Sequence, residues 1–393
     1  MPRIPLVDLT ASYARHRDGI DAAMRSVVDD ARFILGRDVG EFESAFAAFS
    51  GTAHAVGVAS GTAAIHLSLA ALGIGPGDEV AVPAHTFVAT AEPVTWLGAR
   101  PRFVEVDAQT GGMDPDALKS VIDRVRAVLP VHLYGLPVEL DAIGALADAA
   151  GVPLIEDAAQ AHGAEYVHAD DGSVVRAGAY GRVGCFSFYP GKNLGAFGDA
   201  GAVTTADPAL ADRIRRLADH GRATKYEHLT VGYAARLDTL QAAVLAVKLR
   251  TLAEGNRRRR ELAAAYRARL AGIGDLVLPV EPPNRRGVYH LFVVRTGHRD
   301  GLRAYLRDAG ISAGVHYPIP LHLQPAYASL GHRPGDLPVA EAWARECLSL
   351  PMYPELTDEQ LETVVDQVRA YFDTAGRYDS RSSVGGTELR LSY

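Results

Sequence analysis

The chain has 393 residues, 48% of them hydrophobic and 22% charged, the composition of a globular protein with room for two domains. Its formal net charge of −7 argues against a nucleic-acid partner, so any bound anion must be held by local groups rather than a global field. Two cysteines, Cys185 and Cys347, are too few for a disulfide framework or a cysteine zinc site, and they suit a reducing cytoplasm.

The N-terminus, Met1 to Leu9, lacks an apolar run of signal-peptide length. No stretch approaches the length of a membrane span. A cytoplasmic protein with no membrane partner is therefore expected. Residues 12–50 read as helical, with Phe42, Phe46 and Phe49 at helical spacing. Short β-branched runs then alternate with helix-like segments. Strands are expected over His54–Ser60, Glu79–Phe87, Arg102–Asp107, Val125–Gly135, Pro153–Ala159, Val183–Phe188 and Ala200–Thr205, seven in all. Helices are expected over Thr62–Leu72, Ala89–Gly98, Asp114–Ile122 and Leu140–Ala150. Several strand candidates are unbroken apolar runs, as in strands covered on both faces. The alternation predicts an α/β domain with a large, mostly parallel sheet.

The texture changes near residue 237. Leu237 to Leu270 reads as one long helix, broken or bent at Gly255. Its Arg257–Arg260 run reads as a solvated face or, less commonly, a phosphate contact. A strand (Tyr289–Thr296), a helix (Asp300–Ala309), the segment Gly314–Pro318 and two further helices follow, the last opened by a Thr357/Gln360 capping box. Residues 1–249 thus read as a large domain with an N-terminal helical segment, and 250–375 as a smaller α+β domain. The Ser- and Gly-rich residues 376–393 read as a mobile tail.

The chemistry gathers in the large domain. Lys192 lies between Gly191 and Gly195, just after an apolar run, where backbone can crowd close to a ligand. Asp157 ends another apolar run, and acids at the carboxyl ends of parallel strands fall in the usual ligand crevice. Ser60-Gly61-Thr62 follows a strand and opens an apolar helix, so its free amides can attract a phosphate; an ordinary helix cap is the plainer alternative. A lysine, an acid and an anion site are what pyridoxal phosphate requires: a Schiff-base partner, a counter-charge for its ring nitrogen and a phosphate cradle. Gln160 could contact the ring's phenolic oxygen, Ser187 could donate to the phosphate, and Phe87 could lie against the ring, though a lone Phe there is more often core. Gly195, Gly198 and Gly201 do not have the spacing of a dinucleotide loop. The fourteen histidines show no zinc spacing on a helix. His316 and His322 flank the extended segment Tyr317-Pro318-Ile319-Pro320, which could present polar groups to a ligand.

These segments together resemble the sugar-nucleotide aminotransferases of the DegT/DnrJ/StrS family. The resemblance spans residues 3–372 and rests on Ala59-Ser-Gly-Thr-Ala63, Thr86-Phe-Val-Ala-Thr90, Glu156-Asp-Ala-Ala-Gln-Ala-His-Gly163, the Lys192 loop, Arg236-Leu-Asp-Thr-Leu-Gln-Ala-Ala243 and His316-Tyr-Pro318. It implies the fold type I architecture of pyridoxal-phosphate enzymes: a seven-stranded, mostly parallel large domain, a small C-terminal domain, and a homodimer with shared active sites. It implies that Lys192 carries the cofactor and moves the proton, and that Asp157 pairs with the ring nitrogen. Gly61, Thr62 and Ser187 would bind the phosphate, Phe87 would stack on the ring and Gln160 would hold its phenolic oxygen. The implied reaction passes the amino group of L-glutamate to a nucleotide-linked keto sugar.

A related branch, the sugar 3-dehydratases, has histidine in place of the lysine, so Lys192 argues for transamination over dehydration. The complete Lys–Asp–Gln set argues against a non-catalytic, cofactor-binding regulator. The Tyr189–Ala196 loop with Gly198-Asp-Ala-Gly201 resembles enzymes that aminate C3 of dTDP-linked 3-keto-6-deoxyhexoses, rather than the C4-aminating relatives that act on dTDP- or UDP-4-keto sugars. Tyr189, His316, Tyr317 and His322 are then the candidate substrate contacts. One position departs from the pattern. Where the family usually has an Asn that reaches the partner's cofactor phosphate, this chain has Ala234.

Overall fold

A computed structural model describes residues 3–374; the tail read over 376–393 lies outside the described residues. The N-terminal helical run is two helices, Leu9–Asp29 and Arg37–Ser50. Gly36, at φ 95°, makes the turn before the second. Asp8 caps the first by accepting from the Ala11 amide at 2.9 Å. The phenylalanine spacing read in the second helix does its work in the core. Phe42 meets Phe188, and Phe46 meets Phe186, edge-on at 5.4 and 5.0 Å between ring centres. This helix is the floor beneath the strand that leads to Lys192.

The strands of the first two hundred residues are β1 (His54–Val58), β2 (Glu79–Pro83), β3 (Arg100–Val104), β4 (Ala127–Val128), β5 (Ile155–Asp157), β6 (Glu165–Val167), β7 (Val174–Arg176), β8 (Val183–Ser187) and β9 (Gly201–Thr205). Every one of the predicted strand runs overlaps one of them, with β3 starting two residues before its predicted run. The pair β6–β7 was not expected; with β10 (Arg285–Arg286) it forms a small sheet of its own. The others form a four-stranded sheet, β1-β9-β8-β5, and a three-stranded sheet, β3-β2-β4. Single parallel bridges, Val128↔Leu154 and Val131↔Asp157, join their edges.

The sheets are mixed. β2–β3, β2–β4 and β5–β8 pair in parallel, but β9 is antiparallel to both β1 and β8. The reason is local. The chain between β8 and β9 is the Lys192 loop, which folds back on the end of β8 without forming a helix, so β9 returns alongside β8. The long strand expected over Val125–Gly135 is also curtailed. Pro130 has no N–H to donate, and Leu133–Gly135 forms a tight turn with Tyr134 at φ 59°.

The expected long helix is Thr239–Leu249 followed by Leu252–Leu270. The break falls at Arg250–Thr251, not at Gly255. Gly255 is helical, and a side chain there would sit 3.4 Å from Pro354 Cγ. Two of the four arginines in the run are engaged within the protein. Arg259 is buried and donates to the carbonyls of Tyr289 (3.1 Å) and Met352 (2.9 Å), while Arg258 pairs with Asp358 at 2.7 Å. β11 (Phe292–Arg295) and β12 (Cys347–Leu350) pair antiparallel. The helices Arg299–Asp308, Pro338–Glu346 and Asp358–Thr374 accompany them. Tyr266, Phe292, Leu348 and Val364 share one core cluster. The capping box is present: Thr357 Oγ1 accepts from the Gln360 amide (3.1 Å), and Gln360 Oε1 from the Thr357 amide (3.0 Å). Among the described residues, no helix is long and apolar enough to cross a membrane.

Candidate active site

β1, β8 and β5 run in the same direction, because β9 reverses against both of its neighbours. Their carboxyl ends open into one cleft of about 440 Å³. Lys192, Asp157, Gln160, Gly61, Thr62 and Ser187 line it. So do Phe87, Tyr189, His316 and Tyr317. His322, the remaining sequence candidate, does not. It is buried, with Nε2 3.2 Å from Glu341 Oε1, because Pro320 leads the chain into a short turn, Leu321–Leu323, that packs inward.

The adjacent acids Glu156 and Asp157 point to opposite faces of β5. Glu156, fully buried, accepts from the amides of Gly178 (2.9 Å), Tyr180 (2.9 Å) and Gly181 (2.8 Å). His132 completes the set: its Nδ1 accepts from the Val138 amide, so Nε2 carries the proton and donates to Glu156 at 2.7 Å. Glu156 is thus a structural anchor. Asp157 faces the cleft. Its Oδ2 accepts from Thr90 Oγ1 at 2.8 Å and its Oδ1 from the Ala159 amide at 3.1 Å. Thr90 spends its one proton on Asp157, so Thr86, 3.1 Å away, donates to Thr90. Burial pushes the Asp157 carboxyl upward, and the Thr90 and Ala159 donors and the Lys192 charge pull it back.

The Lys192 loop is tied at both ends. The Lys192 amide donates to the Tyr189 carbonyl at 2.8 Å and the Ala196 amide to the Phe188 carbonyl at 2.7 Å. Asn193 Nδ2 reaches the Val288 carbonyl at 3.0 Å, and Lys248 Nζ reaches the Gly195 carbonyl at 2.6 Å. Burial lowers the Lys192 amine from 10.5 to about 8, with Asp157 acting the other way. The neighbouring histidines are neutral: burial first, then the Lys192 charge, brings His162 to about 3 and His316 to about 4. Lys192 is therefore the cleft group placed to exchange a proton near neutrality.

At the other end Ser60 caps the helix Gly61–Ala71, its Oγ accepting from the Ala63 amide at 3.0 Å. The amides of Gly61 and Thr62 find no protein acceptor among the described residues. Gly61 is required here by contact, since a Cβ would lie 2.7 Å from Ser187 Cβ. Gln160 is oriented by the Tyr134 amide, which donates to its Oε1 at 2.6 Å and leaves Nε2 to donate to the Tyr317 hydroxyl at 3.2 Å. The rings of Phe87 and Tyr317 lie 5.3 Å apart along one wall.

The cleft fits pyridoxal phosphate on the chemistry of its donors. Unengaged helix amides beside a glycine backbone suit the phosphate. A buried carboxylate held by two donors suits a pyridinium nitrogen, and a lysine of lowered pKa suits a Schiff base. Thr86, Thr90 and Asn193 lie in motifs quoted above but were given no role, and Tyr134 was not singled out. The four-residue spacing of Thr86 and Thr90 could have pointed to a pair.

An α/β fold whose strand ends hold a lysine–acid pair beside a helix N-terminus defines a pyridoxal-phosphate enzyme of the aminotransferase class. The chain belongs to the DegT/DnrJ/EryC1/StrS aminotransferase family, whose model matches residues 15–369. It is 49% identical, over 94% of its length and 96% of the relative's, to a dTDP-3-amino-3,4,6-trideoxy-alpha-D-glucose transaminase of Streptomyces venezuelae. The crystal structure of S. venezuelae DesV in complex with a ketimine intermediate matches with a TM-score of 0.91 at 49% identity, covering 95% of this chain and 99% of that one. The Bacillus subtilis protein ntda with bound cofactor PMP matches with a TM-score of 0.83 at 30% identity, covering 91% and 82%.

Proposed function

We propose that the chain transfers the amino group of L-glutamate to C3 of a dTDP-linked 3-keto-6-deoxyhexose, working as a cytoplasmic homodimer with shared active sites. The observation that carries the chemistry is the single cleft where Lys192, lowered to about 8, meets a buried Asp157 and the free amides of Gly61 and Thr62. The C3 assignment draws its support from the Streptomyces venezuelae transaminase. In this reading the two bridged sheets act as one seven-stranded sheet of fold type I, residues 1–249 form the cofactor domain and 250–375 the small domain.

Bound in the cleft, pyridoxal phosphate would supply an electron sink for the carbon bearing the amino group. The chain's residues do the rest. Asp157, whose carboxylate accepts from Thr90 and Ala159, would pair with the ring nitrogen. Gly61, Thr62 and Ser187 would hold the phosphate, Gln160 the phenolic oxygen, and Phe87 one ring face. The Lys192 amine would take the proton from the substrate carbon that bears the nitrogen and deliver it to the cofactor carbon on the other side of that nitrogen, with the reverse transfer for the sugar. Tyr189, His316 and Tyr317 face the sugar, while buried His322 supports the wall through Glu341.

Borohydride reduction of the loaded enzyme should place the cofactor label on the peptide bearing Lys192. L-Glutamate should change the visible absorbance of the bound cofactor, and a dTDP-3-keto sugar should reverse it. Lys192→Ala should abolish both half-reactions; turnover by that variant, or reversal only by a 4-keto sugar, would overturn the corresponding assignment.

A further inference from the structure

Tyr134 touches two of the groups that line the cleft, and it does so from behind them. It is buried, and it sits at φ 59° in the turn Leu133–Gly135, a left-handed conformation that an ordinary side chain adopts only when its surroundings hold it there. Its amide donates to Gln160 Oε1 at 2.6 Å. Its hydroxyl donates to the carbonyl of His316. His85 Nε2 lies 2.8 Å from the same hydroxyl.

The proton count fixes the direction of this relay. A phenol has one proton, and a carbonyl can only accept, so that proton goes to His316. His85 must then donate to Tyr134 from Nε2. Burial keeps His85 neutral, at about 3, so its Nδ1 carries only a lone pair, and that atom has no partner in the structure. The far side of the segment is fastened too, because His316 Nδ1 lies 2.8 Å from Ser349 Oγ on β12. The segment that presents His316 and Tyr317 to the cleft is thus held by Tyr134 on one side and by Ser349 on the other.

We propose that Tyr134 is a positioning residue for the sugar half of the reaction: its hydroxyl, oriented by His85, sets the His316–Tyr317 segment, while its amide sets Gln160, whose Nε2 in turn meets the Tyr317 hydroxyl. The inference rests on the transaminase reading given above. Asymmetry between the half-reactions follows from the placement of the segment. Tyr317 packs beside Phe87, which is half exposed at the open side of the cleft. A nucleotide-linked sugar must cross that side, whereas an amino acid is small enough to be handled deeper in.

The test separates the two half-reactions in single-turnover absorbance measurements on the loaded enzyme. Tyr134→Phe keeps the amide and removes only the hydroxyl. The apparent dissociation constant for the keto sugar should rise about tenfold, the loss of one buried hydrogen bond, and the amino-donor half-reaction should suffer several times less. Ser349→Ala should show the same asymmetry, and the double variant should be scarcely worse than either single one, since each releases the same segment. Equal losses in both half-reactions, or losses that multiply in the double variant, would overturn the assignment. Should Tyr134→Phe fail to fold, the asymmetry of Ser349→Ala decides alone. Label at Lys192 and the glutamate-driven absorbance change in the parent enzyme test the transaminase reading. With those intact, a missing asymmetry refutes only the role of Tyr134.

Discussion

Lys192 should capture pyridoxal phosphate at a rate that climbs with pH, bends near about 8 and then levels. The attacking species is the neutral amine. With its pKa lowered from 10.5 to about 8, about one amine in ten is neutral at about pH 7, against about one in three thousand for an ordinary lysine. Burial supplies the lowering, and the Asp157 carboxylate opposes it. Asp157→Asn removes that opposing charge, so the bend should move to lower pH even as the affinity for the cofactor falls. The assay is stopped-flow absorbance of apoenzyme mixed with cofactor across the range from slightly acidic to strongly alkaline. A capture rate that keeps rising past about pH 10, as for a solvated lysine, would refute the argument from burial. A bend displaced upward in Asp157→Asn would refute the assignment of its charge.

Other outcomes follow from single contacts. Gly61→Ala puts a carbon 2.7 Å from Ser187 Cβ and 3.2 Å from its Cα, so strand and helix must part at the phosphate cradle. Its cofactor dissociation constant, read by equilibrium dialysis, should rise by at least about tenfold; a change within about twofold would contradict the cradle. Glu156→Gln turns an acceptor of four donors into an amide that must aim an NH₂ at some of them. Urea denaturation should show a loss of about 3 kcal/mol, and a loss under about 1 kcal/mol would deny Glu156 its anchoring role. Ala234, exposed and bridged through its backbone to Asp219, has no side-chain donor to offer the cofactor phosphate of the proposed second subunit. Ala234→Asn should tighten cofactor binding about tenfold in fluorescence titrations, and unchanged or weaker binding would sink that idea.

Much of the fold was legible because periodicity reports burial. Each of the predicted strand runs overlaps a strand, and Leu140–Ala150 is a helix at the predicted residues. What went unread was set by tertiary context. Nothing local marks β9 as antiparallel; it follows from the Lys192 loop folding back without a helix. Gly255 looked like a helix breaker, but Pro354 packs over it and the break lies earlier. Arg259 looked solvated or phosphate-binding because sequence cannot show that three carbonyls converge on it. In the site, Lys192 and Asp157 were legible because reactive residues at strand ends follow a rule. Tyr134 was not, since its partners Gln160 and His316 lie 26 and 182 residues away.

The one antiparallel strand explains why the site can form at all. β5 and β8 pair in parallel with Asp157 opposite Cys185, two residues before β8 ends at Ser187. The acid and the start of the lysine loop therefore emerge side by side. β1 does not touch β8; β9 lies between them, paired Val58↔Gly201 and Ser187↔Gly201. Two reversals restore one direction, so β1 ends level with β8 and delivers Ser60, Gly61 and Thr62 to the same edge. Gly201 makes this possible, because a side chain there would meet the Ser60 carbonyl at 2.4 Å. The helix amides after β1 and the loop that carries Lys192 thus start from one edge, so close that a Cβ on Gly61 would lie 2.7 Å from Ser187 Cβ. A parallel β9 would have needed the chain to cross the sheet as a helix instead of folding back as the loop that carries Lys192.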